Sequence, residues 1–116
     1  MPISIVALSI VLAVAFTGAG LMKLTGHSSQ RQAAEHFGIP WARYRAIGVL
    51  ELAGAAGVVV GFALTALGAA AAIGLTLLMV SALATHSRAS DPPAQVAPAA
   101  VLGVLSAANA VLYLAH

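Results

Sequence analysis

The chain contains no cysteine, which excludes disulfides, thiol redox chemistry and cysteine-ligated iron–sulfur clusters. It is also poor in charge. Only 7% of its 116 residues are Asp, Glu, Lys or Arg, against about 25% in soluble domains. Its five basic residues form no polybasic run, so there is no electrostatic footprint for nucleic acid and no nucleic-acid partner is expected. The four histidines show no metal-ligand spacing, and no metal site is expected. No flavin motif is present and no cofactor is expected, so redox chemistry would need a partner protein. What remains is 61% hydrophobic with a mean hydropathy of +1.01. That balance fits a chain whose solvent is the lipid bilayer.

Four apolar runs account for most of the length. The first, about residues 3–24, is charged only at Lys23. It is longer than the core of a signal peptide, and Met1-Pro2-Ile3-Ser4 supplies no basic leader, so a retained membrane helix is expected. The others span about 44–62, 68–86 and 94–115. Each approaches the ~20 residues needed to cross a hydrocarbon core of about 30 Å. The fold expected is all-α: an integral membrane four-helix up-down-up-down bundle forming one domain, 1–116.

A short interfacial helix, about Gln30 to Phe37, is expected between the first two spans. Ser29 and Gln32 fit a capping box, and Gly38 with Pro40 beyond it fits a stop. Ala33, Ala34 and Phe37 would rest on the membrane while Arg31, Gln32 and Glu35 meet water. Trp41 and Tyr44 read as interfacial aromatics. Asp91 is expected to cap the last helix, with Pro92 at its first position.

Lys23, Arg31, Arg43 and Arg45 flank the first loop and Arg88 lies in the third. The positive-inside rule then puts both loops in the cytoplasm and both termini outside, in a multi-pass protein of the cell membrane.

Glu51 is the one acidic residue within an apolar run. Near mid-bilayer such a residue costs about 2.5–3.5 kcal/mol on insertion scales, so it is expected to face inward and to have a partner. Counting from Tyr44 at 1.5 Å per residue, it lies about 10 Å deep. Lys23 and His86 lie at the same end of their helices. Glu51 is therefore either a structural ion pair fixing helix register or a proton donor or acceptor in a lipid-facing cavity. Lys23 is expected to extend to the headgroups, with pairing to Glu51 as the alternative. His86 reads as a residue of the helix C-terminus or as a proton exchanger between the cavity and water.

Polar stripes recur at helical spacing: Ser9, Ala13, Phe16, Gly20 and Lys23; Gly74, Ser81 and Thr85; Ser106, Asn109 and Tyr113. Asn109 lies toward the opposite surface, away from Glu51. Gly57 and Gly61 form a small-xxx-small pair that lets helices approach.

The segments Gly20-Leu21-Met22-Lys23-Leu24, Phe37-Gly38-Ile39-Pro40, Ile47-Gly48-Val49-Leu50-Glu51-Leu52-Ala53-Gly54 and Thr85-His86 together resemble the DoxX-like family of small four-helix membrane proteins. The resemblance covers about residues 15–90. It implies a four-helix bundle in which Lys23, Glu51 and His86 occupy the family's polar positions. Some relatives are associated with thiosulfate:quinone oxidoreductase, others with oxidative-stress complexes or membrane-protein maturation, so the family does not fix an activity.

Three classes of function follow. The first is a site centred on Glu51, His86 and Lys23, with Gly20, Gly54, Ser81 and Thr85 as ligand contacts. It would bind or transform a lipophilic small molecule by isomerisation, cyclisation or epoxide opening, or meet a quinone as an oxidoreductase subunit. The second is a non-catalytic subunit or assembly factor for another membrane protein. The third is a small proton-coupled carrier, acting as a homo-oligomer.

Overall fold

A computed structural model describes all 116 residues. It contains five helices and no strand: α1 (Ile3–Leu24), α2 (Ser28–Phe37), α3 (Trp41–Val60), α4 (Thr65–Arg88) and α5 (Pro93–Ala115). Three of them, α1, α4 and α5, are long and apolar enough to cross a membrane. At 1.5 Å per residue, the 22 residues of α1 extend about 33 Å. The fourth long helix, α3, has 20 residues but carries Arg43, Arg45 and Glu51.

Each long helix buries one stripe. In α1 it is Ile5, Ser9, Leu12, Phe16 and Gly20; in α3 it is Tyr44, Gly48, Glu51, Ala55 and Val58. Both step by three or four residues, the period that keeps side chains on one face. The core joins Leu12 and Phe16 of α1, Ala55 and Val58 of α3, Ala72, Leu75 and Met79 of α4, and Ala99 and Ala110 of α5. Packing runs in a ring: α1 lies on α3 and α5, and α4 on α5 and α3. Ile10, Val14, Leu77, Val80, Val104 and Leu114 point outward and are at least half exposed. An apolar exterior around the whole circumference is what lipid, not water, stabilises.

Small residues set the helix spacing. A Cβ on Gly61 would sit 2.6 Å from both the Gly68 Cα and the Tyr113 hydroxyl, and one on Gly57 would sit 2.5 Å from the Ala71 Cβ. The α1–α3 crossing is equally tight: a Cβ on Gly20 would lie 2.7 Å from the Gly48 carbonyl oxygen.

Several sequence expectations need correction. Helix α2 begins at Ser28, and His27, not Ser29, caps it: the His27 ring accepts from the Ser29 N–H at 3.2 Å. The stop at Gly38 is as expected, with φ 68°. Helices α3 and α4 start three residues earlier than the apolar runs, because helix geometry extends back to Trp41 and Thr65. The last helix starts at Pro93, and Asp91 makes no cap bond to it. The stripe Gly74, Ser81, Thr85 is not the buried face of α4; Gly68, Ala69, Ala72, Leu75 and Met79 are. Packing volume decided that face, and the polar side chains did not.

Candidate functional site

The last turn of α1 carries Lys23 and the middle of α3 carries Glu51. The glycine-to-glycine crossing at Gly20 and Gly48 brings those helices close enough for the two side chains to meet. Lys23 Nζ lies 2.8 Å from Glu51 Oε1. The Glu51 side chain is 3% exposed and that of Lys23 is 19% exposed. Lys23 therefore pairs inward, where the sequence favoured its extension to the headgroups. Its ammonium also lies 5.6 Å from the centre of the Tyr44 ring, a cation–π distance. The Lys23 ammonium is the one polar contact of the buried Glu51 Oε1, and a carboxylate oxygen with two lone pairs has room for a further donor.

A cavity of about 430 Å³ opens beside the pair. Lys23, Glu51 and His86 all line it, as do Ser81 and Thr85. The rest of the wall includes Phe37, Ile47, Leu78, Met79 and Ala82. A few polar groups in an apolar cavity of this size are the usual make-up of a small-molecule site. Two of the expected ligand contacts lie elsewhere. Gly20 is consumed by the α1–α3 crossing and lines neither of the larger cavities. Gly54 lines a separate groove of about 510 Å³ between α3 and α4, to which Ser81 also contributes.

His86 shares the cavity wall with Glu51, but its ring bonds Asp91, with Nδ1 2.5 Å from Asp91 Oδ2. His36 of α2 holds the other carboxylate oxygen at 2.6 Å. The end of α4 explains this geometry. Ser90 turns left-handed at φ 56°, and the Asp91 N–H returns to the His86 carbonyl at 3.1 Å. This helix-terminating turn folds Asp91 back onto its own helix. The hydrogen bond from His36, and then that from His86, hold the Asp91 carboxyl below the usual carboxylate range.

Further contacts fasten α2 over the site. The Tyr44 hydroxyl donates to Gln30 Oε1 at 3.1 Å, the Arg31 guanidinium lies 4.6 Å from the centre of the Trp41 ring, and Phe37 meets the His86 ring edge-on at 5.1 Å. Tyr44 is buried by these contacts and is not a free interfacial aromatic. Sequence reasoning missed the His36–Asp91–His86 bridge. His36 and Asp91 are 55 residues apart, and Asp91 before two prolines carries the local signal of a cap.

A second buried polar group occupies the other half of the bundle. The Ser9 hydroxyl donates to Asn109 Oδ1 at 3.3 Å, and Tyr113 donates to the Val58 carbonyl. Asn109 stays clear of Glu51, as its depth in α5 implied.

The outward apolar faces and the enclosed charged pair define an all-helical membrane protein with an ionisable site inside its helix packing. The sequence model of the DoxX-like family matches residues 7–109, most of the chain, and the protein belongs to that family. The match reaches further in both directions than the motifs that suggested it, and takes in most of α5. No curated protein and no solved structure matches the chain.

Proposed function

We propose that this protein binds a lipophilic small molecule in the cavity beside Lys23 and Glu51 and acts on it by acid–base chemistry. The observation that carries this reading is the buried Glu51 Oε1, which has room for a further donor on the wall of a cavity that is about half apolar, with Ile47, Leu78, Met79 and Ala82 on its wall. A ligand hydroxyl or acidic C–H would supply a second donor beside the Lys23 ammonium. The Glu51 carboxylate would take that proton, the Lys23 ammonium would stabilise charge developing on the ligand, and His86 would pass protons toward the Asp91 bridge and water. Isomerisation, ring closure and epoxide opening need no more than this.

The reading includes a four-span topology in the cell membrane, with α3 as the fourth span. The loop with α2 and the α4–α5 loop would be cytoplasmic, and both termini outside. Reporter fusions at each end test it: signals from the outer face are expected, and two cytoplasmic termini would overturn the orientation.

The test of binding is extraction of the full chain with its surrounding lipid, followed by mass analysis of co-purified lipophiles. One compound enriched in the wild type and depleted in Ala82→Trp is expected, because the indole would fill the cavity. Thr85→Phe serves if the first variant does not fold. Equal recovery from wild type and folded variants would refute binding at this site.

A second reading has its own support. Half of the residues that wall the α3–α4 groove are glycine or alanine, which admit a close partner helix, and most of the rest are leucine, which suits an interaction subunit or assembly factor. Stable co-purification with one membrane protein, lost in Gly74→Leu, would favour it.

A further inference from the structure

Three carboxylates are present, and two are occupied: Glu51 by Lys23, Asp91 by His36 and His86. The third, Glu35, is exposed on α2 and makes no ion pair. Arg43 and Arg88 therefore have no carboxylate partner. Both line a cavity of about 310 Å³ that adjoins the Glu51 cavity, sharing Arg43, Ile47 and Thr85 with it. They are its only charged lining residues, and Glu35 does not reach it. The joined space has a cationic end at the mouth, an apolar middle at Ile47, Leu78, Met79 and Ala82, and the Lys23–Glu51 pair at its wall.

From this we infer that the ligand is an amphiphile with an oxyanion head, phosphate or carboxylate, held by Arg43 and Arg88, and an aliphatic body lying in the Glu51 cavity. The inference rests on the lipophile-binding reading and narrows its substrate class. Guanidinium groups suit the task because their planar forks bond oxyanions in pairs. Basic cavities between membrane helices on the cytoplasmic side bind acidic lipid heads by the same physics. The head would stay at the membrane surface while the body reaches the carboxylate, so the hydroxyl, acidic C–H or epoxide on which Glu51 acts would be carried on the body and not on the head.

The experiment is native mass spectrometry of the full chain in a nonionic detergent. It is titrated separately with dodecyl phosphate, dodecan-1-ol, inorganic phosphate and phosphatidylglycerol. Dodecyl phosphate is expected to bind one to one and about tenfold more tightly than dodecanol. The Arg43→Gln/Arg88→Gln double variant should bind the two alkyl probes equally. Arg45→Gln, which alters a guanidinium outside both cavities, should keep the wild-type preference. Phosphatidylglycerol binding as tightly as dodecyl phosphate supports the acidic head and identifies bilayer lipid as its source. Weaker binding supports it with a free single-chain amphiphile as the source.

The inference is overturned if dodecanol matches dodecyl phosphate in the wild type. It is equally overturned if Arg45→Gln abolishes the preference as fully as the double variant, or if inorganic phosphate alone binds as tightly. In each of these cases dodecanol binding that is lost in Ala82→Trp leaves the lipophile reading standing. Failure of both alkyl probes to bind removes both.

Discussion

Replacing Lys23 by methionine should destabilise the bundle more than replacing Glu51 by glutamine. At the observed 2.8 Å, two unit charges attract by about 6 kcal/mol for an effective dielectric of about 20. Most of that attraction offsets the cost of taking both groups out of water. What a single substitution exposes is the cost of the charge left behind. In Lys23→Met that charge is Glu51, whose side chain is 3% exposed and whose mid-helix position lets it reach neither headgroups nor bulk water on its short stem. Stranding a buried charge costs about 3–5 kcal/mol. In Glu51→Gln the remaining charge is Lys23, in the last turn of α1, whose long stem can carry its ammonium to the headgroups. About 1–2 kcal/mol is expected there, the loss of one charge-assisted contact less what resolvation returns. The double variant should recover much of the loss, with a coupling of about 2–3 kcal/mol. Reversible unfolding of each variant by denaturing detergent in mixed micelles measures all three. If Glu51→Gln costs as much as Lys23→Met, or if Lys23→Met is neutral, Lys23 does not hold Glu51 in the membrane and the pairing is refuted.

Other expectations test the frame around that pair. Gly61→Ala should lower the melting temperature in detergent, since its methyl would overlap Gly68 and Tyr113, at about 1–3 kcal/mol; Gly74→Ala, with open space at its Cβ, should be neutral or slightly stabilising. Equal effects at the two sites would show that neither glycine sets helix spacing. Ser90→Gly should stabilise the α4–α5 turn by up to about 1 kcal/mol, because Ser90 is left-handed; a lower melting temperature would contradict that turn. The Asp91 carboxyl is held below its unfolded value, so its bridge to α2 is fully present above the ordinary carboxylate range and is lost as pH falls through the lowered folded value. Hydrogen exchange in α2 should rise over that acidic window in the wild type. In Asp91→Asn it should be raised already at neutral pH, and identical profiles would remove the bridge from the account.

Much of this frame was legible from spacing. Phe16, Gly20 and Lys23 on one face of α1 follow from helical periodicity, and the cost of a carboxylate in lipid turned Glu51 inward. Gly38 marked the end of α2 because a left-handed residue there favours glycine. The choice of partners was not legible. Lys23 had two outlets, headgroup or carboxylate, and only the closeness of the Gly20–Gly48 crossing decides between them. His86 and Glu51 line one cavity, yet Asp91 claims the histidine through a turn set by Ser90, a residue with no strong signal for that conformation. On α4, polar residues suggested one face, while alanines and Leu75, which fit the facing helices, occupy the core.

The central claim is that the cavity walled by Lys23, Glu51 and His86 holds a lipophilic molecule. Its most direct test is an electron-microscopy map of the full chain, extracted with its own membrane lipid and enlarged by a rigid binding partner on the α2 side that leaves the cavity mouth open. The account predicts one elongated density between Ile47 and Met79, with a polar atom within hydrogen-bond distance of Glu51 Oε1. A cavity collapsed onto its own side chains, or one holding only water against Glu51, would contradict it.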